Sequence, residues 1–251
     1  LFPQYCSIGI GFVEDNAIIA VEQKKWWHNV MIISDDLPEN WQHARETRLL
    51  LRGQAGAVEL LVNGVEKPRA LALICHPHPL HGGSMDNKVV FTLARACRDS
   101  NIIAVRFNFR GVGCSEGVHD DGIGELEDAK LVLKKLHAAL PDFPVILAGF
   151  SFGAAIAARL AQTVQCSGLL LSAPPVPRYG LDKIVAVNAP ILLLQCDDDE
   201  VTDSTAVYHR FEKLSAPEKT LQRWPKGGHF FHGMLPELKK TVEKFLSSLP
   251  V

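Results

Sequence analysis

Val145-Ile146-Leu147-Ala148-Gly149-Phe150-Ser151-Phe152-Gly153-Ala154-Ala155-Ile156-Ala157-Ala158 is the stretch that decides the fold. An apolar run of strand length passes into Gly-x-Ser-x-Gly, and small residues at helical spacing follow. This reads as a strand, a tight turn and a helix, the context in which such a serine becomes a nucleophile elbow. The sharp turn leaves little space around Ser151, and Gly149 and Gly153 supply it. The hydroxyl then stands at the top of a sheet, at the positive end of the next helix.

Working outward, the same rhythm repeats. Leu71–Cys75, Ile102–Phe109, Leu169–Ser172, Ile191–Cys196 and Thr220–Trp224 read as buried strands. Lys88–Arg98, Ile123–Leu140, Ala154–Val164, Thr202–Leu214 and Leu235–Leu249 read as helices. Arg48–Arg52 and Val58–Val62, joined by Gly53-Gln54-Ala55-Gly56, read as a hairpin. Alternation of this kind predicts an α/β fold with a mostly parallel sheet and helices on both faces. Chemistry is then expected on the loops at the carboxyl ends of the strands.

Composition narrows the function. The 251 residues are 47% hydrophobic and carry a net charge of −2, so they can bury a core and lack the basic footprint of a nucleic-acid binder. No apolar run has the length and continuity of a membrane span. Six cysteines without a CxxC pair predict reduced, buried thiols and a cytoplasmic protein. Residues 1–45 hold three of the four tryptophans, show no sustained period and are read as an extension of unknown role. Glu14 and Asp15 interrupt their apolar stretch, which argues against a secretory signal. Nothing excludes a homo-oligomer.

A nucleophilic serine needs a base, and the base an orienting acid. Asp197-Asp198-Asp199-Glu200 follows one strand, and Lys226-Gly227-Gly228-His229-Phe230-Phe231-His232 follows the next, in the order Ser, acid, His. Four successive carboxylates cannot all point at one imidazole, so most of the run is expected to be a solvated turn. His229 and His232 compete as base. His119, like the remaining lone histidines, is read as a surface or core residue.

His76-Pro77-His78-Pro79-Leu80-His81-Gly82-Gly83 follows the strand ending at Cys75. HxHxxH has the look of a metal site, but no acid stands at the third position and no second cluster has suitable spacing, so neither metal nor cofactor is expected. A loop stiffened by two prolines suits the fixing of a backbone N–H for an oxyanion. Pro77 has none, so the donor is His78 or a later residue, with the Phe152 N–H as the second.

Together with Arg106-Phe107-Asn108-Phe109-Arg110-Gly111-Val112-Gly113-Cys114-Ser115-Glu116-Gly117, these motifs resemble those of the α/β-hydrolase superfamily, in particular a lidless bacterial subgroup related to dienelactone hydrolases. The resemblance spans about Glu46 to Leu249 and implies an α/β-hydrolase domain over 46–251 without a large cap. It implies Asp199 as the acid, by the G-D-x-D-x-V turn that Cys196–Val201 matches with cysteine in place of glycine. It implies His229 as the base and the His78 N–H as the oxyanion donor. Ser151, where dienelactone hydrolases carry cysteine, implies a serine carboxylesterase acting on a small-molecule ester. Only 18 residues, with three prolines near the start, separate Ser172 from Ile191, too few for a multi-helix lid.

Overall fold

The computed structural model describes the backbone of residues 7–13, 16–22 and 31–251, and side chains from residue 33 onward. Trp26, Trp27 and Cys6 lie outside the described residues.

In chain order the strands are β1 Ser7–Val13, β2 Asn16–Glu22, β3 Met31–Ser34, β4 Thr47–Gly53, β5 Gly56–Asn63, β6 Ala70–Cys75, β7 Ile102–Phe107, β8 Val145–Phe150, β9 Gly168–Ser172, β10 Ile191–Cys196 and β11 Lys219–Trp224. The helices are α1 Lys88–Asp99, α2 Ile123–Ala139, α3 Phe152–Leu160, α4 Ser204–Lys213 and α5 Leu235–Ser248. One sheet forms in the order β1-β2-β3-β4-β5-β7-β6-β8-β9-β10-β11. From β7 to β11 every pair is parallel. The expected β4–β5 hairpin is antiparallel around Gln54-Ala55. The chain reverses its direction of travel across the sheet at β6, so the loops after β6 and β8 open a crevice at the carboxyl edge.

Strand residues alternate between two cores. Leu71, Leu73 and Cys75 of β6 face α2, α3 and α4, and Ala70, Ala72 and Ile74 face α1 and α5. Trp41 is buried in the first core, and the Gly64 and Val65 N–H groups donate to the Ala44 and Gln42 carbonyls, so the packed unit starts ahead of residue 46. Cys75, Cys97, Cys166 and Cys196 are buried free thiols, and Cys114 is buried as well.

Several boundaries differ from expectation, by one to four residues. β7 stops at Phe107 because the Asn108 and Phe109 N–H groups donate to the Glu59 carbonyl and to His76 Nε2 instead of continuing the ladder. α3 starts two residues early, directly behind Ser151, and ends at Leu160, whose carbonyl is taken by the Thr163 hydroxyl. Between β9 and β10 lies a single short strap with a kinked 3₁₀ stretch over Arg178–Lys183. Among the described residues no helix is long and apolar enough to cross a membrane.

Candidate active site

Ser151 stands between β8 and α3 at φ 54°, ψ −121°, a conformation that non-glycine residues adopt at a cost of about 1–3 kcal/mol. Its surroundings impose the turn. The Ser151 N–H donates to the Ser172 carbonyl at 2.8 Å, and its own carbonyl accepts from Ala154 N–H at 2.8 Å. A Cβ on Gly149 would stand 2.2 Å from the Gly153 carbonyl oxygen, so only glycine fits there.

The loop after β11 brings His229 over the serine. Nε2 lies 2.9 Å from Ser151 Oγ, and Nδ1 lies 2.9 and 3.1 Å from the two Asp199 oxygens. His229 is buried against the Phe150 ring, with 5.0 Å between centroids. His232 is exposed, its N–H given to the Gly227 carbonyl at 2.7 Å and its ring turned toward Phe230. Asp199 is tied down on all sides: Oδ1 accepts from the Val201 and Thr202 N–H groups, and Oδ2 from the Thr202 hydroxyl and Gln195 Nε2. Burial raises the Asp199 carboxyl, but donation from His229 and Thr202 outweighs it and brings the group down to about 2.

The other three carboxylates are not merely a solvated turn. Asp198 accepts from the Gly227 and Gly228 N–H groups, and Glu200 from the His229 N–H at 3.0 Å. Asp197 accepts from the Tyr208 hydroxyl and pairs with Arg223. Two of the four therefore fasten the backbone that carries the imidazole. The physical reason is the parallel β10–β11 register, which sets Cys196 beside Trp224 and so brings the two following loops together.

The loop after β6 is held by His76. Its Nε2 accepts from the Phe109 N–H at 3.0 Å, and its Nδ1 donates to the Pro77 carbonyl at 2.6 Å. Burial pushes the imidazole down to about 3, so it is neutral. Both ring nitrogens are thus engaged with backbone, which takes His76 out of the HxHxxH metal reading. His78 Nδ1 accepts from Leu80 N–H, closing the next turn. The His78 ring lies 5.1 Å from that of Phe152, the residue that opens α3, where helix N–H groups have no partner within the helix.

His119, given no role from sequence, packs here as well. Its ring is 4.7 Å from that of His78 and 5.7 Å from that of Phe152, and Nδ1 is 2.7 Å from Glu125 Oε1. No local spacing signals this, because the contact joins loops from two different strands. Glu59 is a second buried residue that the sequence did not single out. It accepts from Arg48, Asn108 and the Cys114 N–H, and Asn108 in turn accepts from Met85 N–H, locking the loop after β7 to the loop after β6.

The chain is similar to several known proteins. A family described as serine aminopeptidase S33 matches residues 66–182. An α/β serine hydrolase homologue from Coxiella burnetii is 41% identical, covering 80% of this chain and 97% of its own, with a TM-score of 0.75. A Xanthomonas campestris member of the α/β serine hydrolases without lid is 36% identical, covering 86% and 98%, with a TM-score of 0.76. The chain belongs to the α/β serine hydrolases without a lid. This serine hydrolase is also similar to the uncharacterized protein RP471 of Rickettsia prowazekii, 31% identical over 212 residues, which span 80% of this chain and 89% of that protein.

Proposed function

We propose that this serine hydrolase is a cytoplasmic carboxylesterase for small esters with short acyl chains. The reading is carried by one observation: an unbroken line of contacts of about 3 Å from Ser151 Oγ through His229 to an enclosed Asp199. In this reading Ser151 Oγ attacks the ester carbonyl carbon while His229 Nε2 takes its proton. Asp199 fixes the imidazole through Nδ1 and stabilises the imidazolium. The oxyanion is met by the backbone N–H groups of His78 and Phe152. The tetrahedral intermediate collapses, His229 returns the proton to the leaving alcohol, and the acyl group stays on Ser151. Water, deprotonated by His229, then attacks the acyl carbon, and the acyl–Oγ bond breaks as His229 returns the proton to Ser151 Oγ, releasing the acid. No step calls on a metal or cofactor.

The short-acyl preference is supported by the length of the strap, 18 residues between β9 and β10, too few for a multi-helix lid over the site. The aminopeptidase description of the matching family favours a second reading, amide hydrolysis by the same residues. A fluorophosphonate probe and a paired panel of esters and amides test both. The expected result is labelling of Ser151, lost in Ser151→Ala, with turnover of esters far above that of amides. Labelling elsewhere overturns the nucleophile, and faster amide turnover overturns the esterase reading.

A further inference from the structure

β10 reads Ile191-Leu192-Leu193-Leu194-Gln195-Cys196 and every residue in it is buried, so Gln195 is the one amide in an apolar strand. Its Nε2 sits among three acceptors: Asp199 Oδ2 at 2.8 Å, the Cys196 carbonyl at 3.1 Å and Thr202 Oγ1 at 3.4 Å. The opposite amide orientation would set Oε1 against the same three oxygens, so the assignment follows from the network. Oε1 is buried and has no hydrogen-bond partner among the described residues. A stranded acceptor costs stability, and a leucine would fill this strand position without that cost. The residue is therefore explained by what Nε2 does.

What it does is donate to the oxygen that also meets His229 Nδ1 at 2.9 Å. We propose that Gln195 is a positioning residue of the esterase: by donating to Asp199 Oδ2 it holds the carboxylate in the imidazole plane and limits the negative charge that Asp199 presents to His229. The inference rests on the triad reading above.

Other charged groups near His229 are already committed. Asp198 and Glu200 accept from the 227–229 backbone, Asp197 pairs with Arg223 and Tyr208, and burial pushes the Cys196 thiol up to about 12. Phe150, Phe230 and the Ser151 hydroxyl complete the surroundings of the ring.

Removing the donor makes Asp199 a stronger partner for the protonated imidazole, so the base is lost to protonation at higher pH. Gln195→Met keeps the volume and removes the donor. The expected result is an acid limb of the kcat/KM profile moved upward by at least about half a pH unit, together with a displaced downfield proton resonance of His229 Nδ1–H. A structural role alone moves neither. If Gln195→Met fails to fold, Gln195→Leu tests the same point, because it too removes the donor from Asp199 Oδ2 without adding a charge. A limb and a resonance that stay in place in the folded variant overturn the proposal. The resonance needs no turnover, so it judges Gln195 even if residual activity in Ser151→Ala overturns the triad reading.

Discussion

A methyl group on Gly153 would stand 2.2 Å from the carbonyl oxygen of Cys75 and 2.5 Å from that of His76. The first turn of α3 and the end of β6 are thus in backbone contact, and this contact ties the nucleophile turn to the loop of the proposed oxyanion donor. Gly153→Ala must push the two apart. The expected outcome is a loss of about 2–4 kcal/mol in stability, at the high end for single substitutions, with kcat falling more than KM rises. Denaturant titration and steady-state kinetics check it, and near-wild-type values for both would show that the approach is looser than described.

The two histidines of the last loop separate cleanly. His229→Ala is expected to lower kcat by several orders of magnitude, comparable with Ser151→Ala, since members of one catalytic unit fail together. His232→Ala, at an exposed position outside the line from Ser151 through His229 to Asp199, is expected to stay within a few-fold of wild type. The reverse order would reassign the base.

Asp199 gives an acid-side signature. Its carboxyl is held at about 2, against an ordinary 3.8. A lowered carboxyl stabilises the fold above its unfolded value, and that contribution is lost as pH falls through the folded one. It amounts to roughly 2 kcal/mol at neutral pH. The stability gap between wild type and Asp199→Asn is therefore expected to close as pH falls from about 4 to 2. Thermal melts across that range check it, and a constant gap would contradict the assigned cause.

His76 acts in the same sense at higher pH. The unfolded chain protonates this imidazole near 6.5, while the folded protein resists until about 3. Below 6.5 the unfolded state binds the extra proton, so folded stability falls progressively toward pH 3, by roughly 3–5 kcal/mol in all. His76→Gln is expected to flatten that slope while keeping a donor and an acceptor near Phe109 and Pro77. An unchanged slope would place the acid sensitivity elsewhere.

The open mouth makes a prediction about substrate. Leu80, Val118 and Phe230 are 71%, 77% and 42% exposed on loops at the carboxyl edge, with no lid above them among the described residues. Each methylene left in water forgoes about 0.8 kcal/mol of burial. Across a p-nitrophenyl ester series on the full chain, kcat/KM is expected to be highest at acyl lengths of about two to six carbons, the range in which little apolar chain is left uncovered. Interfacial activation is expected to be absent. An optimum at about ten carbons or more would mean that some wall encloses the chain after all.

What could be read from the sequence was local. The elbow needs only a strand, a serine between glycines and a helix, all within 14 residues, and steric demand on Gly149 and Gly153 writes itself into the residue type. The strand–helix alternation and the order serine, acid, histidine follow from periodicity and from strand ends. The choice among Asp197, Asp198, Asp199 and Glu200 did not, because neighbouring carboxylates differ only in direction. That direction is set by where the loop after β11 lies. The serine and histidine that meet at 2.9 Å are 78 positions apart, and the histidine and its aspartate 30. His119 and Glu59 were silent for the same reason, their partners lying on other strands. Gln195 was visible as a polar residue in an apolar run, yet its purpose was not. From Arg48 onward the sequence determined which elements form and where chemistry is presented, whereas β1, β2 and β3 were not read from it. Only the packed sheet, through its parallel register, decided which side chains meet.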